Sequence, residues 1–428
     1  MNLKQHIMKL FLILAFWGMI ASDLVFGKIA PVHQPVDYKK IDRHALNTPK
    51  SAEQSFESLA LYLSQPARND FEKTRAIYRW ITENINYDTK GFFSGRYGDL
   101  SAKGVLKSRT AVCEGYAGLF ERLASAAGLE VVKISGFAKG YGYVAGSPII
   151  GPSNHAWNAI KINGLWHLLD CTWGAGYVDS QGRFVRRFEE HYFFTPPEEF
   201  IYNHFPENSR WQLLEQPISK AEYEKLIYLR PAFFKYGLKP ESHFQAKIQT
   251  DHQVSITFSA PDNVLLTANL EQNYRKLDGY LTFSQKHDHR YNIQAFFPRA
   301  GSYVLRVFAT DKKKSANYQG VLEYKVEAKK GMGKKIGFPE TYGTFHKKKV
   351  YLYGPMNGNL KSGDVQKFKL MVPGAENVII INRGRVIELK KQGELFAGEV
   401  KVKKGKVTVC AEFPGEKSYA SLLRYIGF

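Results

Sequence analysis

Three side chains in this sequence have the types and the order that thiol acyl chemistry requires. Cys113 lies in the run Val112-Cys-Glu-Gly-Tyr-Ala-Gly-Leu-Phe. His155 and Asp170 bracket a second run, His155-Ala-Trp-Asn-Ala-Ile-Lys-Ile-Asn-Gly-Leu-Trp-His-Leu-Leu-Asp170-Cys-Thr-Trp-Gly. A thiol attacks a carbonyl well only as the thiolate, and both a helix N-terminus and a neighbouring imidazolium stabilise that anion. Tyr116, Leu119, Phe120, Leu123 and Ala127 follow Cys113 at helical spacing, and Gly128 supplies a stop. The cysteine is therefore expected at the opening of a helix whose first N–H groups would also face a developing oxyanion.

The second run reads as a hairpin. Asn163-Gly164 between apolar strands is the strongest short hairpin signal, a two-residue type I′ turn. Such a turn sets Ile162 opposite Leu165, and by continuation Trp157 opposite Asp170 and His155 opposite Thr172. Alternation then puts His155, Trp157, Asp170 and Thr172 on one face, with His155 and Asp170 as diagonal neighbours. His167 and Cys171 go to the other face, so His155 is the candidate base and Cys171 a poor rival nucleophile. Taken singly, Cys113 is as well a small core residue, His155 a satisfied core histidine and Asp170 a cap. Their combination favours a nucleophile, a base and an orienting carboxylate.

The elements that must hold these residues are legible around them. Ser51 and Gln54 have capping-box spacing ahead of Phe56, Leu59, Ala60 and Leu63, a helix that Pro66 ends. A second helix is expected from Asp70, with Ile77, Tyr78, Ile81 and Ile85 on one face, and a strand over Leu129–Phe137. Residues 28–50 read as a linker or draped N-terminal extension, 89–104 as a surface loop, and 138–153, with four glycines and two prolines, as a loop leading into His155. Ser219 and Glu222 form another capping box. From about Phe233 short alternating runs separated by turn signals give an antiparallel sandwich over 233–328. A basic linker or the start of the next module is expected over 329–349 and a second sandwich over 350–428. The fold class is thus an α+β core domain over 51–230 followed by two all-β, immunoglobulin-like domains.

Composition narrows the setting. At 428 residues the chain is too long for one core, and 44% apolar residues make it globular. Lys4, His6 and Lys9 precede an apolar run from Leu10 to Ala21, with small residues at Ala21, Ser22 and Gly27. This is the pattern of a signal peptide over 1–27, so a secreted or periplasmic protein is expected. Three cysteines exclude a disulfide scaffold. A formal charge of +20 points to anionic cell-wall or glycan surfaces as partners, and no nucleic-acid-binding motif accompanies it. Nothing calls for a cofactor or a metal.

Val112-Cys-Glu-Gly-Tyr-Ala, His155-Ala-Trp-Asn and Leu169-Asp-Cys-Thr-Trp-Gly, in that order, resemble the three motifs of the transglutaminase-like superfamily of papain-type thiol enzymes. Glu198-Glu-Phe, Asn203-His-Phe-Pro, Gly337-Phe-Pro-Glu-Thr-Tyr and Leu422-Leu-Arg-Tyr resemble its kyphoscoliosis peptidase branch. The resemblance implies a papain-like core in which Cys113, His155 and Asp170 are the triad. It also implies acyl transfer to water, as in a peptidase or amidase, or to a lysine amine, as in a cross-linking transglutaminase. Hydrolysis of a protein or peptide is the expectation. The competing reading is a surface-binding scaffold with a relic site, motivated by the seven lysines of Lys329–Lys349.

Overall fold

The computed structural model describes residues 37–313, 317–333, 335–416 and 418–428. The expected signal peptide lies outside them. The chain divides into two compact units, one of residues up to 136, 155–197 and 206–217, the other of 137–154, 198–205 and 218–428.

The first unit is a helical core against a short sheet. Its helices are α1 (Lys39–Leu46), α2 (Phe56–Ser64), α3 (Asp70–Asn84), α4 (Thr89–Ser94), α5 (Ala102–Ser108), α6 (Cys113–Ala126) and α7 (Cys171–Ala175). Strands β1 (Asn86–Tyr87) and β2 (Thr110–Ala111) pair in parallel. Strands β3 (Glu130–Ala138), β4 (His155–Ile162), β5 (Leu165–Leu169) and β8 (Phe193–Thr195) lie in the order β8-β5-β4-β3, while β6 (Gly176–Val178) and β7 (Phe184–Arg186) form a separate ribbon. Leu59, Leu63, Ile77, Trp80, Ile81, Phe120, Leu123, Ile160 and Leu169 close one apolar core between α2, α3, α6 and the sheet. Each large side chain buried there contributes roughly 1.5–3 kcal/mol.

Three local expectations are corrected. Ser51 does not cap α2; it sits in a 3₁₀ turn, Lys50–Gln54. Ser55 is the cap, accepting from the Ser58 N–H in a reciprocal box. The stretch read as a linker contains α1, whose Ile41 and Ala45 are buried one turn apart and whose Asp42 pairs with the buried Arg75 of α3. The loop expected over 89–104 holds α4 and the start of α5. Both are started by polar caps rather than an apolar stripe: Asp88 accepts from Gly91 N–H and Ser101 from Gly104 N–H.

The second unit is dominated by two β modules built alike. In the first, the larger sheet runs Tyr228–Leu229, Gln319–Ala328, Gly301–Asp311, Val264–Gln272, Arg275–Lys276, with Lys247–Thr250 parallel to Gln319–Ala328. Its facing sheet runs Lys239–Pro240, Gln253–Ser259, Arg290–Phe296, Thr282–His287. In the second module the larger sheet runs Glu340–Thr341, Ala420–Gly427, Gly405–Glu412, Asn377–Asn382, Arg385–Glu388, with Asn359–Leu360 parallel to Ala420–Gly427. The facing sheet runs Tyr351–Gly354, Val365–Met371, Leu395–Lys401, Lys390–Gln392. Taken in chain order, every strand of one module has its counterpart in the other. Their apolar interiors join in one cluster, where Phe338 stacks on Phe296 at 4.0 Å.

Of the two readings of the basic stretch 329–349, the start of the next module describes its second half. It contributes the edge strand Glu340–Thr341 and a short helix, Gly343–Lys347, anchored by the buried Phe345. Tyr228–Leu229, expected at the end of the α+β domain, is an edge strand of the first β module.

Candidate active site

Cys113 opens α6. The residue before it, Val112, has extended backbone and offers no side-chain cap, so no side-chain oxygen competes for the N–H groups of the first turn. Those groups and the helix dipole face the half-buried thiol. The packing that holds α6 is tight on one side. A Cβ on Gly115 would stand 2.7 Å from Ala111 Cβ and 2.8 Å from Val105 Cγ2, so only glycine lets the first turn settle on β2 and α5.

The hairpin has the register read from its turn. Ile162 pairs with Leu165, Ile160 with His167, and Asn158 with Leu169. Asn163 and Gly164 both take positive φ, 52° and 82°, as a type I′ turn requires. The ladder stops at Leu169, however, and here the expectation is corrected. Thr172 is not a strand residue opposite His155. Asp170 leaves the sheet and caps α7, its Oδ1 accepting from the N–H groups of Thr172 at 2.7 Å and Trp173 at 3.1 Å. The cap satisfies helix donors that a strand would have given to the ladder. Its other oxygen, Oδ2, lies 2.7 Å from His155 Nε2. The predicted contact exists, made by a cap rather than by a cross-strand diagonal.

The structure brings Cys113, His155 and Asp170 together. Asp170 is fully buried and the His155 side chain is 7% exposed. Tyr78 Oη donates to the Asp170 carbonyl at 3.4 Å, and the Asp170 N–H donates to the Tyr192 carbonyl at 2.9 Å. Rings of Trp173 and Trp157 flank the imidazole at 5.2 and 6.1 Å. Cys113 is hydrogen-bonded to His155 and accepts from the Ala156 N–H. His155 thus lies between the carboxylate and the thiol.

The electrostatics follow from this chain of contacts. Burial pushes the Cys113 thiol up, but the hydrogen bond and charge of His155 outweigh it and hold the thiol below its ordinary value. Burial pushes His155 down, yet the Asp170 carboxylate and then Cys113 raise it to about 10. The two shifts run in opposite directions, so the contact favours the thiolate and the imidazolium together. Cys171 is buried in the core and burial drives its thiol well up. His167 packs edge-on to Phe71 at 5.4 Å.

Two residues matter that the sequence reading passed over. Asn158, inside the His155-Ala-Trp-Asn run, is buried and donates from Nδ2 to the Ala117 carbonyl of α6 at 3.1 Å and to the Val132 carbonyl of β3 at 3.3 Å. It fixes β4, which carries His155, against α6, which carries Cys113. The signal was a polar side chain at an inward-facing strand position. Ala156 acts through its backbone, which carries no sequence signal. A cleft of about 540 Å³ along the outer face of α6, lined by Ser101, Glu114, Gly118 and Lys133 among others, includes none of the three chemistry-bearing residues.

A thiol at a helix opening, paired with a hairpin imidazole that a capping carboxylate orients, defines a transglutaminase-like core. Residues 57–171 match the transglutaminase-like superfamily, and residues 220–339 match the KY-like, immunoglobulin-like domain. The chain is therefore a transglutaminase-like protein with a KY-like immunoglobulin-like domain. It is homologous to kyphoscoliosis peptidase of Mus musculus, with 33% identity over 291 residues, 67% of this chain and 42% of the relative. Hillarin of Drosophila melanogaster is 31% identical over 302 residues, 64% of this chain and 37% of that one. Lim and transglutaminase domain protein ltd-1 of Caenorhabditis elegans is 34% identical over 259 residues, 56% of this chain and 35% of that one. The chain thus spans less than half the length of these relatives.

Proposed function

We propose that this chain is a thiol acyl-transfer enzyme acting as a peptidase or amidase, with Cys113 as nucleophile, His155 as proton carrier and Asp170 as its orienting carboxylate. The observation that carries the reading is the hydrogen-bonded sequence Cys113–His155–Asp170, in which the thiol is held low and the imidazole high. Thiolate adds to the acyl carbon, forming the C–S bond as the carbonyl pair moves onto oxygen. Collapse expels the amine, which takes the imidazolium proton, and leaves a thioester. Water, deprotonated by the now neutral His155, adds to the thioester and releases the acid and the thiol. The substrate class is a protein or peptide. The basic, apolar leader further supports action outside the cytoplasm, and N-terminal sequencing of the mature protein from its source cell tests that: a chain still beginning at Met1 sinks it.

The test of the chemistry is direct. The protein is incubated with a peptide library, with and without a fluorescent primary amine, beside Cys113→Ala. New N-termini that appear only with Cys113 intact support hydrolysis. Amine incorporated in their place makes the enzyme a cross-linking transglutaminase. If iodoacetamide labels Cys113 no faster than Cys410, the nucleophile assignment fails.

A further inference from the structure

Tyr87 is the neighbour of the thiol that the scheme above leaves unused. It closes β1, whose partner is β2, with Tyr87 directly across from Ala111. The pairing is fixed on both flanks: Asn86 N–H donates to the Arg109 carbonyl at 2.8 Å and Asp88 N–H to the Ala111 carbonyl at 2.9 Å. Bridge partners send their side chains to the same face of a ladder. Ala111 sends its Cβ toward the first turn of α6, where it stands against Gly115. The Tyr87 ring is therefore delivered to the same turn, the one that Cys113 opens. Phe92 and Phe184 hold the ring, with centroids 5.8 and 6.4 Å away. Among the described residues the Tyr87 hydroxyl makes no hydrogen bond.

We infer that the Tyr87 hydroxyl is a catalytic hydrogen-bond donor to the acyl oxygen, completing with the N–H groups that open α6 the site where the oxyanion forms. The inference rests on Cys113 being the nucleophile. As the C–S bond forms, the carbonyl π pair moves onto oxygen, and a donor fixed in advance lowers the energy of that charge without reorganising. No proton is transferred from Tyr87; it holds the oxyanion until the pair returns and the C–N bond breaks. Burial, and next the charge of Cys113, push the phenol well above its ordinary range, so it stays protonated and can donate throughout the working range of the thiol.

Two reagents separate this role from activation of the thiol. p-Nitrophenyl acetate acylates a thiolate through an oxyanion, whereas iodoacetamide alkylates it by displacement at carbon and forms none. The full chain is compared as wild type, Tyr87→Phe and Cys113→Ala, reading the nitrophenolate burst and the rate of Cys113 alkylation. Tyr87→Phe is expected to slow the burst by roughly 10²-fold while alkylation stays as in the wild type. A burst unchanged in Tyr87→Phe overturns the assignment, and so does a parallel fall of both rates, which marks a merely structural ring. A burst that survives Cys113→Ala removes the nucleophile and Tyr87 with it. A burst lost in Cys113→Ala but intact in Tyr87→Phe removes Tyr87 alone.

Discussion

Protonation ties Cys113 to His155 more closely than distance does. The thiol is held below its ordinary value and the imidazole is raised to about 10, so both charges coexist in the window between. On the acid side the thiolate is protonated and the nucleophile is lost. On the alkaline side the imidazolium is deprotonated and, in the proposed reaction, the leaving amine loses its proton source. Alkylation of Cys113 should therefore persist at pH values below about 8.5, where an ordinary thiol fades. His155→Ala leaves burial unopposed and should move the rise of the alkylation–pH profile to or above the ordinary thiol range; a profile that does not move sinks the ion pair. Asp170 has two separable duties. Asp170→Asn keeps an acceptor for the N–H groups of Thr172 and Trp173 and so the cap, since Asn and Asp cap alike. It removes the charge that raises His155. The expected result is a near-wild-type melting temperature with an alkaline-shifted alkylation profile.

The elements around these residues work by close approach. Two glycines on α6 make a matched pair. Gly118 has open space where a Cβ would go, so Gly118→Ala should stabilise the fold by roughly 0.5–1 kcal/mol. Gly115 has Ala111 and Val105 there, so Gly115→Ala should cost roughly 1–3 kcal/mol of overpacking and slow Cys113 alkylation as the first turn shifts. Denaturant melts and labelling rates of both variants check the contrast. Asn158→Leu removes the clamp between β4, α6 and β3 and leaves a buried and a part-buried carbonyl without that donor. A loss of roughly 1–3 kcal/mol is expected, with a slower burst. Much of this level was legible in the sequence. The Asn163-Gly164 turn fixed the register from Ile162–Leu165 to Asn158–Leu169, and apolar spacing placed α3 and α6. The sequence did not announce where β5 would yield to α7, because Asp170 suits either a strand end or a helix cap and tertiary contact with His155 decides. Helices α4 and α5 were hidden for a related reason. Their caps are local and polar, and they bury too little to show a period.

At the scale of the whole molecule, the two β modules repeat one strand order without a residue-level repeat that the sequence reveals. Topology constrains which positions face inward, not which apolar residue fills them, so alternation was visible and duplication was not. The modules are joined by a buried side chain. Gln285 Nε2 donates to the Leu352 carbonyl at 2.9 Å, and Leu352 N–H donates to Gln285 Oε1 at 2.8 Å. Gln285→Leu strands both groups and should cost roughly 2–4 kcal/mol. Urea melts of this variant should shift to lower midpoint, while alkylation of Cys113 without denaturant stays at the wild-type rate. The two-residue turn of the hairpin has a consequence for how the molecule comes into being. Cys113, the proposed nucleophile, is synthesised first, His155 next and Asp170 last, on the far side of that turn. A nascent chain that has emerged only through α6 carries this thiol without the imidazole that holds it low. Closure of Asn163-Gly164 is then the event that arms it, so reactivity appears only in a chain whose core has already been assembled.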